Sequence, residues 1–195
     1  MTPDLLLALA GYAFASSITP GPNNTMLLAS GMNFGFGRTL PHMVGVSAGC
    51  AVMIAALGWG LGQLFQTHPA LHLAIRWAGV AYLVYLAVKI ATARQVGAAK
   101  PGGKPMTFLQ AAAFQWANPK AWGMALTAIT AYAAQGGVAL VALVFTLVNM
   151  PCIAVWAGGG QAMRRFLDRP AVLRGFNLVM AALLLLSLYP MLRER

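Results

Sequence analysis

Acidic side chains are almost missing from this sequence. Asp4, Asp168 and Glu194 are the only three in 195 residues, and none lies inside an apolar stretch. That absence excludes a proton relay of paired carboxylates within a membrane, and it leaves a hard cation without a carboxylate cage. Charge of either sign is scarce, at 8% of residues against about 25% in a soluble domain. So few charges cannot clothe a soluble core of this size, and most of the surface must face lipid. Cysteine is scarce too. Cys50 and Cys152 sit in separate apolar segments without a CxxC spacing, which reads as two small buried hydrophobes. No nucleophile–base pair and no metal-ligand spacing appears, so neither an enzyme nor a cofactor is expected. His68 and His72 have no acidic partners and make a poor metal site. The opening MTPD holds an acid and no base, so the n-region of a cleavable signal is missing and the first apolar stretch is expected to stay.

What the chain does have is apolar length, with 59% hydrophobic residues and a mean hydropathy of +0.71. Crossing a bilayer takes about 20 mostly apolar residues. Six stretches qualify: 5–28, 42–65, 71–90, 107–134, 138–157 and 176–192. They are apolar on every face and show no period-two alternation, which favours helices over a β-barrel. The expectation is one all-α integral membrane domain over residues 1–195. Arg76 and Lys89 lie close enough to the ends of the third stretch to snorkel. A Gly-, Pro- and Lys-bearing linker at 92–106 divides the chain into halves of about 1–91 and 107–195.

Thirteen Lys and Arg residues give a net charge of +10. They lie between the apolar stretches and not on one folded basic face, so nucleic acid is rejected as a partner and membrane orientation explains them. Arg38, Lys89, Arg94, Lys100, Lys104, Arg164, Arg165, Arg169 and Arg174 flank the odd loops, while Arg76, Arg193 and Arg195 lie opposite. Lys120, inside a stretch, is left uncounted. This asymmetry puts the odd loops in the cytoplasm and both termini outside.

The most informative segment is SSITPGPNN at 16–24. Pro20 and Pro22 cannot donate hydrogen bonds, Gly21 weakens the helix, and the carbonyls of Ser16 and Ile18 lose their helical partners. A helix restarting near Asn23 has free N–H groups of its own. A lone proline would be an ordinary kink. Two prolines, a glycine and two asparagines within five residues are not what helix propensity selects. Asn118, Pro119 and Lys120 interrupt the fourth stretch in the same way, and Pro119 releases the carbonyl of Gln115. Each half therefore carries its break in its first span. Three spans per half turn the second half upside down, the pattern of two inverted three-helix repeats whose broken helices mark a substrate site. The two motifs are expected to face each other near the bilayer midplane.

A small zwitterion suits such a site. The N–H groups near Asn23 would take its carboxylate and the Ser16 and Ile18 carbonyls its ammonium, with the Asn23 and Asn24 amides serving either. Gly21, Ala29 and Gly45 would leave room for a modest side chain. Lys120 reads either as a snorkelling lysine or as a positive charge at the site. His42, beside Pro41, reads as interfacial. Gly45 and Gly49 form GVSAG, a close helix contact within the bundle or, alternatively, a dimer interface. Gly58, Gly60 and Gly62 extend that thin face, Asn149 before Pro151 is a weaker break, and Gly158–Gly160 is expected to end the fifth span. Trp59, Trp77 and Trp156 lie near span ends and fit an aromatic belt.

TPGPNN at 19–24, the turn GMNFGFGR after it, GVSAG and NPK at 118–120 resemble the LysE/RhtB amino-acid exporters over nearly the whole chain. MTPDLL and the doubled Asn look closest to the cysteine and O-acetylserine exporter subgroup. The resemblance implies six helices in two inverted halves and secondary-active export of small amino acids or derivatives across a bacterial inner membrane, with protons as the coupling ion. It implies Pro20, Gly21, Pro22, Asn23, Asn24, Asn118, Pro119 and Lys120 as motif residues. The missing intramembrane acid departs from what proton coupling would need. Other classes are a metal-cation exporter or channel on a related six-helix scaffold, a redox carrier built on Cys50 and Cys152, and a structural membrane subunit. Missing acids argue against the first of these.

Overall fold

A computed structural model describes residues 1–61, 67, 69–92, 104–164 and 170–186. Gly62, His68, Arg94, Lys100, Arg165, Asp168, Arg169, Arg193, Glu194 and Arg195 lie outside the described residues, as do most of the 92–106 linker and the far ends of the second and sixth apolar stretches. Every described element is helical. Helix α1 (Pro3–Ile18) starts where the Thr2 hydroxyl accepts from the Leu5 N–H and Pro3 fills a position that needs no donor. It stops at Thr19, held extended at φ −68°, ψ 149°, because the proline that follows disfavours the helical conformation there. Helix α2 (Pro22–Phe34) restarts with Pro22 in its first turn, and the two axes are bent by 57°.

Gly35, at φ 82°, separates α2 from α3 (Phe36–Ala56), which runs into a π turn at Leu57–Leu61. Helix α4 spans Pro69–Ala91. Helix α5 (Phe108–Phe114) opens on a capping box between Thr107 and Gln110 and passes through a 3-10 turn at Gln115–Ala117. Asn118 is extended, at φ −98° and ψ 108°, and Pro119 opens α6 (Pro119–Ala128). A π turn at Ile129–Ala133 leads into α7 (Ala134–Met163), and α8 covers Pro170–Leu186. Both interruptions read from the sequence are thus true breaks, each followed by a helix with proline in its first turn.

The stretch Pro119–Met163 is helical almost throughout and too long for one crossing: 45 residues would extend roughly 68 Å, against about 30 Å of hydrocarbon. It is not straight. The Tyr12 ring lies 6.2 Å from that of Tyr132 and 5.8 Å from that of Phe145, two rings a straight helix would set roughly 20 Å apart. The chain therefore folds back between them, and Gly137, at φ 75° and ψ 153°, is the residue whose backbone permits it. Among the described residues, Phe36–Gly60 and Pro119–Met163 are long and apolar enough to cross a membrane, and α1 with α2 makes a third candidate if the bent pair is one span.

Packing pairs the two halves. Helix α3 lies on α7, α4 on α8, and α1 on α7 just as α5 lies on α3. Small residues permit these approaches. A Cβ on Gly49 would meet the Ala112 backbone at 2.6 Å, and one on Gly45 would strike the Phe108 carbonyl. The glycine face of α3 is therefore consumed by α5 inside the chain, which removes GVSAG as a dimer surface. Gly58 extends it by packing on Val138, whereas a Cβ on Gly60 would meet nothing. Three expectations need correction. Gly158–Gly160 does not end a helix, because Gly160 sits inside α7 with the Leu28 carbonyl against it. His42 is not interfacial but 2% exposed within α3. Gly45 serves packing and leaves no room for a ligand. Apolar side chains cover the outside, with Leu7 and Leu109 each 74% exposed, a surface suited to lipid and costly in water.

Candidate functional site

Breaking a helix strands carbonyls at one side of the break and N–H groups at the other. In the first break the stranded carbonyls find side-chain donors. The Thr19 hydroxyl donates to the Ser16 carbonyl at 3.1 Å, and the Trp156 indole N–H to the Ile18 carbonyl at 3.0 Å. The Asn24 amide Nδ2 donates to the carbonyls of Ser17 and Thr19, both at 2.7 Å. This corrects two readings. The Ser16 and Ile18 carbonyls are not left without donors, since each already accepts one from within the chain, and Trp156 is not a belt residue but a cap on the broken helix. Asn24, 4% exposed, holds the break in shape with its Nδ2.

The donors on the other side stay open. Gly21 precedes α2 and has no side chain to cap it, and Thr25 is the first residue of α2 whose N–H reaches back to a carbonyl, that of Gly21 at 2.9 Å. Among the described residues the N–H groups of Asn23 and Asn24 have no acceptor. In the second break the Gln115 carbonyl accepts the Asn118 N–H at 3.1 Å, so the carbonyl expected to be freed by Pro119 is closed by the 3-10 turn. The Asn118 side chain accepts the Lys120 N–H and caps α6.

The two breaks meet. Asn23 and Gln115 exchange amide hydrogen bonds of 2.8 and 3.2 Å, joining α2 to the end of α5. Lys120 reaches across to the first break, where its Nζ donates to the Thr19 carbonyl at 2.7 Å, the Thr19 hydroxyl at 2.9 Å and the Pro20 carbonyl at 3.2 Å. Its aliphatic stem lies on Gly21, where any Cβ would come within 2.7 Å of Lys120 Cδ. Of the motif residues, Gly21, Asn23, Asn24, Asn118 and Lys120 line one small cavity between the breaks, whereas Pro20, Pro22 and Pro119 shape its backbone. Ala29 and Gly45 are not part of it.

Further lining residues were not expected at the site, Gln115, Asn149 and Cys50 among them. Gln115 clamps Asn23. Asn149, on α7, donates to the Ser17 hydroxyl at 3.1 Å while its own carbonyl oxygen, buried, has no partner among the described residues. Cys50 brings a free thiol to the wall. Asn149 carried a signal, a lone amide before Pro151 in an apolar run. Cys50 carried none. The cavity encloses about 20 Å³, room for one water and not for an amino acid. Its lining offers hydrogen-bond donors, acceptors and one cation. Asp4 is the only acid among the described residues and sits in the first turn of α1, roughly 22 Å from Thr19 along that helix.

The profile of the LysE type translocator family matches residues 14–188. The cysteine/O-acetylserine efflux protein of Escherichia coli O157:H7 is 33% identical over 194 residues, 95% of this chain and 96% of that protein. The proteins of the same name from Escherichia coli strain K12 and Shigella sonnei strain Ss046 are 33% identical over 193 residues, 94% of this chain and 95% of theirs. No solved structure gives a significant match.

Proposed function

The chain belongs to the LysE type translocator family, and from that premise we propose that it exports small amino acids or their derivatives, of the cysteine and O-acetylserine kind, through the cavity between its two broken helices. One observation carries the reading. Two helix breaks, about 100 residues apart in sequence, meet at a polar cavity that has, among the described residues, open N–H groups, an unpaired buried amide carbonyl and a cation, with no acid near it. A zwitterion's carboxylate fits the Asn23 and Asn24 N–H groups at the positive end of α2. The substrate-binding set is Pro20, Gly21, Pro22, Asn23, Asn24, Asn118, Pro119 and Lys120, extended by Gln115 and Asn149. The metal-cation alternative is disfavoured by the same lining, because the Lys120 ammonium repels a cation and no carboxylate among the described lining residues offsets it.

The architecture we infer is six spans in two inverted halves, in the bacterial inner membrane, with both termini external. The fold-back at Gly137 and the exchanged packing of α1 on α7 and α5 on α3 support it. Reporter fusions after Arg38 and at Gln135 should read opposite sides of the membrane, and equal signals would refute that topology. Coupling to proton uptake is part of the proposal. Cells expressing the chain and loaded with radiolabelled amino acids should lose O-acetylserine and cysteine faster than empty-vector cells, and collapse of the proton gradient should stop the loss. Faster loss of divalent metals with unchanged amino-acid retention would sink the proposal.

A further inference from the structure

Lys120 and the first break form a complete ammonium site. An ammonium has three N–H bonds, and the Lys120 Nζ finds three oxygens: the Thr19 carbonyl, the Thr19 hydroxyl and the Pro20 carbonyl, within 2.7–3.2 Å. All three are neutral. The charge is balanced by backbone dipoles and a hydroxyl, an arrangement suited to a cation that must later leave. Carbonyls of this break that are not used here are already capped from elsewhere, Ser16 by Thr19 and Ile18 by Trp156. The Thr19 carbonyl is shared with the Asn24 amide, so the site adjoins the cavity wall. The lysine stem lies on Gly21 and lines the same cavity, which is too small for an amino acid as it stands.

We propose that this three-oxygen cradle is the α-ammonium subsite for the exported amino acid, and that Lys120 is its tethered competitor, occupying the cradle when the carrier is empty and leaving it when substrate arrives. The inference rests on the reading of the cavity as the amino-acid site. It gives the missing acid a replacement: no carboxylate is needed where carbonyls hold the ammonium. It also gives the lysine two tasks. A flexible side chain anchored on α6 swings away to enlarge the cavity, and its return displaces the substrate's ammonium and promotes release. A tethered competitor raises the apparent dissociation constant by the reciprocal of the fraction of time the site is free.

The test is equilibrium binding of O-acetyl-L-serine and of 3-acetoxypropionate, the same molecule without its amino group, to the purified full chain. Lys120→Met empties the cradle. It should bind O-acetylserine about tenfold more tightly than wild type, gain distinctly less for 3-acetoxypropionate, which profits from the enlarged cavity but not from the emptied cradle, and export more slowly because release is no longer assisted. In that background Thr19→Val deletes one cradle oxygen and should cost about tenfold in O-acetylserine affinity and nothing for the des-amino acid. If Lys120→Met is poorly folded, Lys120→Gln serves in its place. A Lys120→Met protein that binds O-acetylserine more weakly than wild type, or equally, overturns the competitor and leaves the exporter reading standing. Failure of wild type and every variant to bind O-acetylserine overturns both.

Discussion

Export should fall to background when Pro20 and Pro22 are both replaced by alanine. The alanines restore donors to residues 20 and 22, which the Ser16 and Ile18 carbonyls then accept in an ordinary helical ladder. The same ladder pairs the Thr19 carbonyl with the Asn23 N–H and the Pro20-position carbonyl with the Asn24 N–H. Every backbone group assigned to substrate is thereby consumed by another. Losing a hydrogen bond to a charged group costs roughly ten- to a hundredfold in binding, and here both ends of a zwitterion lose theirs, so the combined loss exceeds about a hundredfold. The variant should reach wild-type levels in the membrane, because a continuous helix is no less stable there. Normal efflux from a protein shown to be present at equal amount would mean that the break does not form the site.

Asn24→Asp should be the most damaging single isosteric change. Asn24 Nδ2 donates to the Ser17 and Thr19 carbonyls, both at 2.7 Å, from a position 4% exposed. Aspartate keeps the shape, but its oxygen faces two carbonyl oxygens instead of donating to them. An unsatisfied buried polar group costs about 1–3 kcal/mol; the Ser17 carbonyl loses its donor, the Thr19 carbonyl keeps only Lys120, and the carboxylate repels both oxygens, so a loss of about 3 kcal/mol is expected. For a chain of this length that lowers the thermal midpoint in detergent by roughly 6–12 °C. Export should be lost with it, since Thr19 supplies the cradle. An unchanged midpoint would show that Asn24 does not hold the break.

The breaks were legible in the sequence because proline's missing N–H is a local property: Pro20, Pro22 and Pro119 interrupt a helix whatever surrounds them. The meeting of the two breaks was expected from reading three apolar stretches in each half. What closes the first break was not legible, because its caps come from far away in the chain. Trp156 lies 138 residues from Ile18, and Lys120 lies 101 residues from Thr19. Nothing in the spacing of Ser16 and Ile18 says that a hydroxyl and an indole will take their carbonyls. Trp156 was misplaced because an indole near a span end satisfies its N–H equally well at a lipid headgroup or on a broken helix. Gly45 was misplaced for a related reason: a small residue allows either a ligand or a neighbouring backbone to approach, and α5 takes that space. Cys50 reads as an ordinary core residue, and only the course of α3 brings it to the cavity wall.

That native thiol supplies the most direct measurement. Cys152 is the other free cysteine and does not line the cavity, so a Cys152→Ala protein leaves Cys50 as the single reporter. Its rate of modification by methyl methanethiosulfonate should be slow, as so narrow a cavity requires, and should fall further when O-acetylserine is added. At a ligand concentration about ten times the dissociation constant the slowing should be roughly tenfold, while 3-acetoxypropionate protects at higher concentration. A modification rate that does not change with saturating O-acetylserine, in a protein that still exports it, would place the substrate somewhere other than the cavity between the two breaks.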